Sequence, residues 1–378
     1  LKLLPKVTDL TDAERKQIEA EARFIRGHHH FEGKKVFKNI PYVDETVTDF
    51  KIPNTTNGTD YVEIWPQIEA DLPFPYDNVA EVNPNVGRVN KWTAASYLAK
   101  AYMFQNKFTQ AKALYDVILV SGKNSKGNPY ALAPNYHDNF RVVSENNAET
   151  VFSIQASYGD GSNTNGNYDN ALNFPHSSST PGAGCCGFFQ PSIDLVNHFR
   201  TNPATGLPYL TNFNSFPVKT DMGVEAGQNF TPDEGTLDPR LDWTAGRRGI
   251  PYHDWGIYPG KPWARDQSYG GPYGPKKNVY WSENADSDGD QGTWAPGTAV
   301  NYSIIRFADV LLMAAECEAQ IGSLGKAQEY VNRVRARAAD HESWLFKYKD
   351  DDDPSAGFSD EPAANYKINE YPAGKFIS

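Results

Sequence analysis

Groups that could do chemistry are densest between Tyr252 and Trp294. Tyr252, Trp255, Tyr258, Trp263, Tyr269, Tyr273, Tyr280, Trp281 and Trp294 share that stretch with Asp254, Arg265, Asn278 and Asn284. A sugar ring presents a C–H face that packs on an aromatic plane, and its hydroxyls need the paired donors and acceptors of Asp, Asn and Arg. Flat amphipathic rings also supply contact area at small entropic cost. The stretch thus has the chemistry of polysaccharide binding, with Trp255, Trp263, Tyr269, Tyr273, Tyr280, Trp281, Trp294, Asp254 and Asn278 as candidate contacts. The competing reading makes the same rings the core of a region with little regular structure. At least two are expected to reach a ligand surface.

Inside the same stretch, Asn284, Asp286, Asp288, Gly289 and Asp290 spell N-x-D-x-D-G-D, the first half of a calcium loop. Alternating carboxylates with a glycine turn wrap a hard cation. The twelfth position is Ala295, where a bidentate Glu is required, so calcium competes with a solvated acidic loop. Asp350–Asp353 before Pro354 reads as solvated loop. There is no nucleophile elbow, P-loop, zinc-binding His motif or dinucleotide fingerprint. A glycosidase needs only two carboxylates at the right separation, which a sequence does not give, so hydrolysis stays open as a lesser alternative.

The elements that must position these loops are helical. In 301–339 the residues Ile304, Phe307, Leu311, Ala314 and Ala315 recur at three and four, which makes one buried helical face. Gly322 and Gly325 flank the break. Ala327, Val331 and Val334 repeat the period, with Arg333, Arg335 and Arg337 expected mostly towards solvent. A similar hairpin occupies 92–120. Aligning Ala111 with Ala327 sets Leu98 on Ala314, Ala99 on Ala315, Phe108 on Leu324, Tyr115 on Val331 and Ile118 on Val334. Small residues at close-approach points mark tetratricopeptide-type helix pairs. Their separation argues against a plain solenoid, and against a protein–protein adaptor that needs contiguous stacking.

Thr11 and Glu14 form a capping box for a helix over 11–32. His28, His29 and His30 point in different directions on it, so they cannot all ligate one ion. Residues 61–72 make a second amphipathic helix ending before the turn-forming LPFP, with Trp65 as core. Glu149–Ala156 alternates like a strand. A long loop runs from Tyr158 to Pro191, and Ser192–Arg200 is a short helix. Mostly α architecture follows, with a small β component: one unit over 1–378, its scaffold about 1–125 and 300–345, its loop-rich ligand-presenting region about 126–300.

A net charge of −11 and a pI near 5.3 argue against nucleic acid or an anionic membrane as main partner. No apolar run is long enough to span a bilayer. Three cysteines exclude a disulfide framework. Cys317 belongs to a helix core, while adjacent Cys185 and Cys186 either close a strained vicinal disulfide or stay reduced. Aromatics at 13% suit ordered loops and not disorder.

The wording of both hairpins resembles the SusD/RagB family of surface glycan-binding lipoproteins from Bacteroidetes-type bacteria. IIRFADVLLMAAEC followed by NRVRARA is the most specific part. EARFIRGHHHFE, ETVFSIQAS, PSIDLVNHF and DPRLDWT resemble further landmarks in the family's order. The resemblance implies a non-catalytic, surface-exposed outer-membrane protein that binds an oligosaccharide and caps a SusC-type TonB-dependent transporter. A related branch captures peptides, the main alternative. No signal peptide or lipid-accepting cysteine precedes Leu1, and the chain stops where such proteins continue into a final helical segment. The resemblance therefore implies a chain short at both ends, with any lipid anchor outside it.

Overall fold

The computed structural model describes residues 1–49, 51–56, 58–161, 174–177, 187–290, 297–374 and 376, without the side chain of Asp290. Trp294, Cys185 and Cys186 lie outside the described residues.

Helix α1 (Asp12–Phe37) opens on the expected capping box: Thr11 Oγ1 accepts from the Glu14 N–H, and the Thr11 N–H donates to Glu14 Oε2 at 2.9 Å. It runs past the expected end at Glu32. After the short hairpin of β1 (Thr55–Thr56) and β2 (Asp60–Tyr61) come α2 (Trp65–Asp71) and, directly, α3 (Pro73–Asn78). The turn expected at LPFP is thus corrected to a helix start, since a first-turn proline lacks only an N–H that would have had no partner. Gly27 lets α1 close on this corner, because a Cβ there would sit 3.0 Å from Leu72 Cδ2.

Helices α4 (Lys91–Met103) and α5 (Phe108–Ser121) form the first hairpin. The loop-rich region follows, with β3 (Thr150–Ile154), α6 (Ile193–Asn197), β4 (Ala245–Gly246), α7 (Gln267–Gly270), β5 (Gly274–Pro275), α8 (Ala285–Asp288), β6 (Gly289–Asp290) and β7 (Gly297–Thr298). The chain closes with β8 (Tyr302–Arg306), α9 (Phe307–Ile321), α10 (Leu324–Ala339), β9 (Phe346–Tyr348) and β10 (Phe358–Pro362). β3 pairs antiparallel with β8. Ile304 is therefore in a strand, not on the expected helical face: the Arg306 N–H donates to Asp309 Oδ2 at 2.8 Å, and that cap starts α9 at Phe307.

The two hairpins, far apart in sequence, pack on each other through α5 and α9. Tyr115 Oη donates to Met313 Sδ at 3.2 Å, Cys317 Sγ contacts Met103 Sδ at 3.2 Å, and Lys112 pairs with Glu318 at 2.6 Å. Cys317 is buried as expected, and burial pushes its thiol up to about 12. A second correction concerns α10. Arg333 is exposed, but Arg335 and Arg337 are buried. Arg335 Nε donates to Asn369 O at 2.7 Å, and Arg337 Nη1 reaches Glu149 Oε2 at 2.9 Å. The segments packed over that face supply the carbonyls and carboxylate that the guanidiniums need.

One core cluster joins α1, α2, α4, α5, α9 and α10 with the β3–β8 pair. The loop-rich region has two of its own. One holds Val196, Val218, Leu237, Leu241, Trp243, Tyr273, Leu345 and Tyr366; the other holds Phe174, Tyr252, Tyr258, Trp263, Val279 and Tyr280. This region has little regular structure because aromatic side chains, not a sheet, exclude its water.

Candidate functional site

The aromatic stretch divides between these cores and a surface cleft. Trp263, Tyr273 and Tyr280 are 8%, 1% and 1% exposed, so three of the expected ligand contacts are interior packing. Tyr252 and Tyr258 meet Trp263 edge to face at 5.6 Å each, and a Cβ on Gly289 would collide with the Tyr280 ring. Trp255 is half-buried and donates its indole N–H to Tyr280 O at 2.8 Å. Tyr269, on α7, is almost fully exposed. Asn278 is half-buried.

Asp254 works through its neighbours. Its carboxylate accepts the N–H of Ser282 at 2.6 Å and of Glu283 at 2.8 Å, which caps the turn after Trp281. Of the expected contacts, Trp281 enters a cleft of about 180 Å3 that the sequence reading did not assemble. Trp243, Trp344, Phe346 and Phe358 line it with Trp281, and Asn135, Asp138, Arg141 and Glu342 supply the polar groups. The residues after α10 bring Trp344 and Phe346, and β10 brings Phe358.

The indole N–H groups of this cleft are all used internally. Trp243 donates to Ser343 O at 2.9 Å, Trp344 to Ala338 O at 3.1 Å and Trp281 to His137 Nε2 at 3.1 Å. Fixed by their edges, the rings keep no indole donor for a ligand. Arg141 lies over the Trp281 ring, 4.6 Å from its centroid, a cation–π contact that covers part of one face with a guanidinium. His137 stacks on Trp243 at 4.2 Å, and burial holds its pKa well below the usual value, so it is a neutral acceptor for Trp281. Burial also raises the Asp138 carboxyl against the opposing pull of Arg141. The volume is below the roughly 300–1,000 Å3 of a pocket that engulfs a small molecule. A cleft this size grips one part of a larger ligand.

The acidic motif takes a different form from a calcium loop. Asn284 ends a turn that continues into α8, which carries Asp286 and Asp288, and Asp288 accepts the Ser287 hydroxyl at 2.8 Å. Carboxylates two apart on a helical turn point away from each other. Among the described residues no group of three or more His, Cys, Asp or Glu side chains could hold a metal ion. The side chain of Asp290 and residues 291–296, the rest of the motif, lie outside the described residues.

Trp243 lies within DPRLDWT, where no periodicity marks its ring as part of a cleft. Trp344 and Phe346 follow α10 at alternate positions, the one local signal for a half-buried aromatic edge. Asn135, Asp138 and Arg141 share one seven-residue stretch, and Glu342 joins them from a distant segment after α10.

A family model described as the SusD family matches residues 148–370, and one described as starch-binding, associating with the outer membrane, matches residues 1–103. SusD-like protein P25 of Formosa agariphila is 26% identical over 340 residues, 87% of this chain and 57% of that protein. SusD-like protein P2 of the same organism is 23% identical over 335 residues, 85% of this chain and 56% of that protein. The chain thus spans just over half the length of these curated relatives. Among solved structures, a SusD-like carbohydrate-binding protein from Bacteroides fragilis superposes with a TM-score of 0.63 at 20% identity, covering 89% of this chain and 62% of that one. A laminarin-binding SusD-like protein gives 0.56 at 21%, covering 89% and 66%. Surface glycan-binding protein A of Bacteroides thetaiotaomicron gives 0.60 at 19%, covering 89% and 64%. At such identity the likeness is one of fold.

Proposed function

This chain belongs to the SusD family, and from that premise we propose that it binds an oligosaccharide or polysaccharide at the bacterial surface without altering it. The observation that carries the reading is the cleft around Trp281 and Trp344. Its indole donors are already engaged inside the protein, and amide, carboxylate and guanidinium groups stand beside the rings. Aromatic faces take the C–H side of a sugar, and Asn135, Asp138, Arg141 and Glu342 take its hydroxyls. Structural neighbours named for binding laminarin, carbohydrate or glycans support the ligand class.

Delivery to a TonB-dependent transporter at the outer membrane is the larger role we assign to this binding. Its support is the resemblance of the scaffold and the outer-membrane wording of the family model that matches the first part of the chain. No helix among the described residues is long and apolar enough to cross a membrane.

A glycan array with the purified chain tests the reading, using starch, laminarin, xyloglucan, fructan and chitin-type oligosaccharides beside a mixed peptide pool. The expected result is a hit on one glycan class that weakens in Trp281→Ala and Trp344→Ala. Binding to peptides alone would overturn it in favour of peptide capture.

A further inference from the structure

A second cleft, of about 560 Å3, opens where segments 200–217 and 233–236 meet Asn365. Its floor is rigidly built. Arg200, 8% exposed, holds both carboxylate oxygens of Asp233 at 2.7 and 2.6 Å and donates to the carbonyls of Phe216 and Pro217 at 3.0 and 2.9 Å. Asp233 also accepts the N–H of Lys219 and of Gly235. A Cβ on Gly235 would run into the guanidinium, so the close approach of that backbone requires glycine. Arg200 therefore fixes the loop that carries Phe216.

Above this floor the rings of Tyr209 and Phe216 stack at 4.2 Å with 16° between their planes, and Phe216 is 42% exposed. Thr201 lines the same cleft and is 2% exposed, and among the described residues its hydroxyl finds no hydrogen-bond partner. A buried hydroxyl left unpaired is destabilising, and native proteins rarely keep one without a reason. A flat exposed ring, an unclaimed hydroxyl, and the side chains of Asn365 and Glu234 repeat the pattern of the first cleft.

We propose that this is a second carbohydrate site, for a neutral hexose unit of the same polysaccharide; it rests on the glycan-binding reading. Neutrality follows from the charges: Asp233 already neutralises Arg200, and Glu234 adds a negative charge that repels an acidic sugar. Both clefts are built on one hydrophobic cluster, with Val218, Leu237 and Tyr366 near the second and Trp243 and Leu345 at the first. A rigid base holds their spacing constant. A chain that reaches both gains affinity through effective concentration, which a short oligosaccharide cannot do.

Isothermal titration with a short oligosaccharide of the class found on the array, and with its parent polymer, tests this. The expected wild-type stoichiometry is two short ligands per chain, falling to one in Phe216→Ala and to one in Trp281→Ala. Polymer affinity should fall at least tenfold in each. Thr201→Val, which keeps the shape and removes the hydroxyl, should weaken the second site alone. One Trp281-dependent site in the wild type, unchanged by Phe216→Ala and Thr201→Val, would overturn the second site and leave glycan binding standing. No carbohydrate binding at any site would overturn both.

Discussion

Arg337 and Glu149 meet inside the protein, Nη1 to Oε2 at 2.9 Å, across 188 residues of chain. Arg306 takes the other oxygen at 2.7 Å, and the Ala133 N–H donates to the same carboxylate at 2.8 Å. Glu149 is 0% exposed. This cluster ties the start of β3 to α10 and to the end of β8, and it holds the segment leading to Asn135 and His137. The helical scaffold and the cleft are thereby joined through one carboxylate.

Glu149→Ala leaves the buried guanidinium of Arg337 and the half-buried one of Arg306 without their counter-charge. Breaking a buried pair from one side costs about 3–5 kcal/mol, whereas an exposed pair is worth under about 1 kcal/mol. Urea unfolding should show a large loss for Glu149→Ala and little change for Lys347→Ala, whose partner Glu361 is exposed. Equal effects would mean that Glu149 does not hold the scaffold together.

Trp281 and its neighbour Tyr280 should respond in opposite ways to truncation. Trp281 is half-buried at the cleft, so Trp281→Ala should raise the dissociation constant for the glycan roughly tenfold, about 1.4 kcal/mol, with a small change in melting temperature. Tyr280 is packed against Phe174 and Trp255, so Tyr280→Ala should cost about 3–5 kcal/mol of stability through the cavity it leaves. Titration calorimetry and thermal melts on both variants separate binding from packing.

That contrast shows how far the sequence could be read. Period and capping placed α1, both hairpins and β3, because those signals are local: Thr11 and Glu14 are three residues apart, and Ala111 and Ala327 mark equivalent close approaches. Pairing between distant segments left no such mark. Arg335 and Arg337 read as solvent-facing until residues near Gly206, Ala133 and Asn369 are packed over them. The aromatic stretch was legible as a composition, but composition does not say which side of a ring meets protein. Among the described rings of that stretch Trp281 alone lines the cleft with rings from 243, 344, 346 and 358, and their meeting is tertiary.

Calcium should change neither stability nor glycan affinity. Asp286 and Asp288 sit on a helical turn, where their carboxylates diverge. Melting temperature and binding should be the same in millimolar calcium and in excess chelator. A calcium-dependent rise that Asp286→Asn removes would show that the loop rearranges around the ion.

His137 sets a pH dependence with a defined sign. Burial, helped by the neighbouring His253, Lys276 and Arg141, holds its folded-state pKa well below the ordinary value near 6.5. Above about pH 6.5 the ring is neutral in both folded and unfolded chains and has no pH effect. Below that, the unfolded chain takes up a proton that the folded chain refuses, so stability falls as pH falls towards the folded-state pKa. One such group changes stability by at most about 1.4 kcal/mol per pH unit. His137→Gln keeps an acceptor for the Trp281 indole but cannot be protonated, and it loses the stack on Trp243. The variant should therefore be less stable than wild type at pH 7.5, with the gap shrinking by pH 5. Urea unfolding at the two pH values measures that gap, and a gap that widens in acid would mean His137 is protonated in the folded protein.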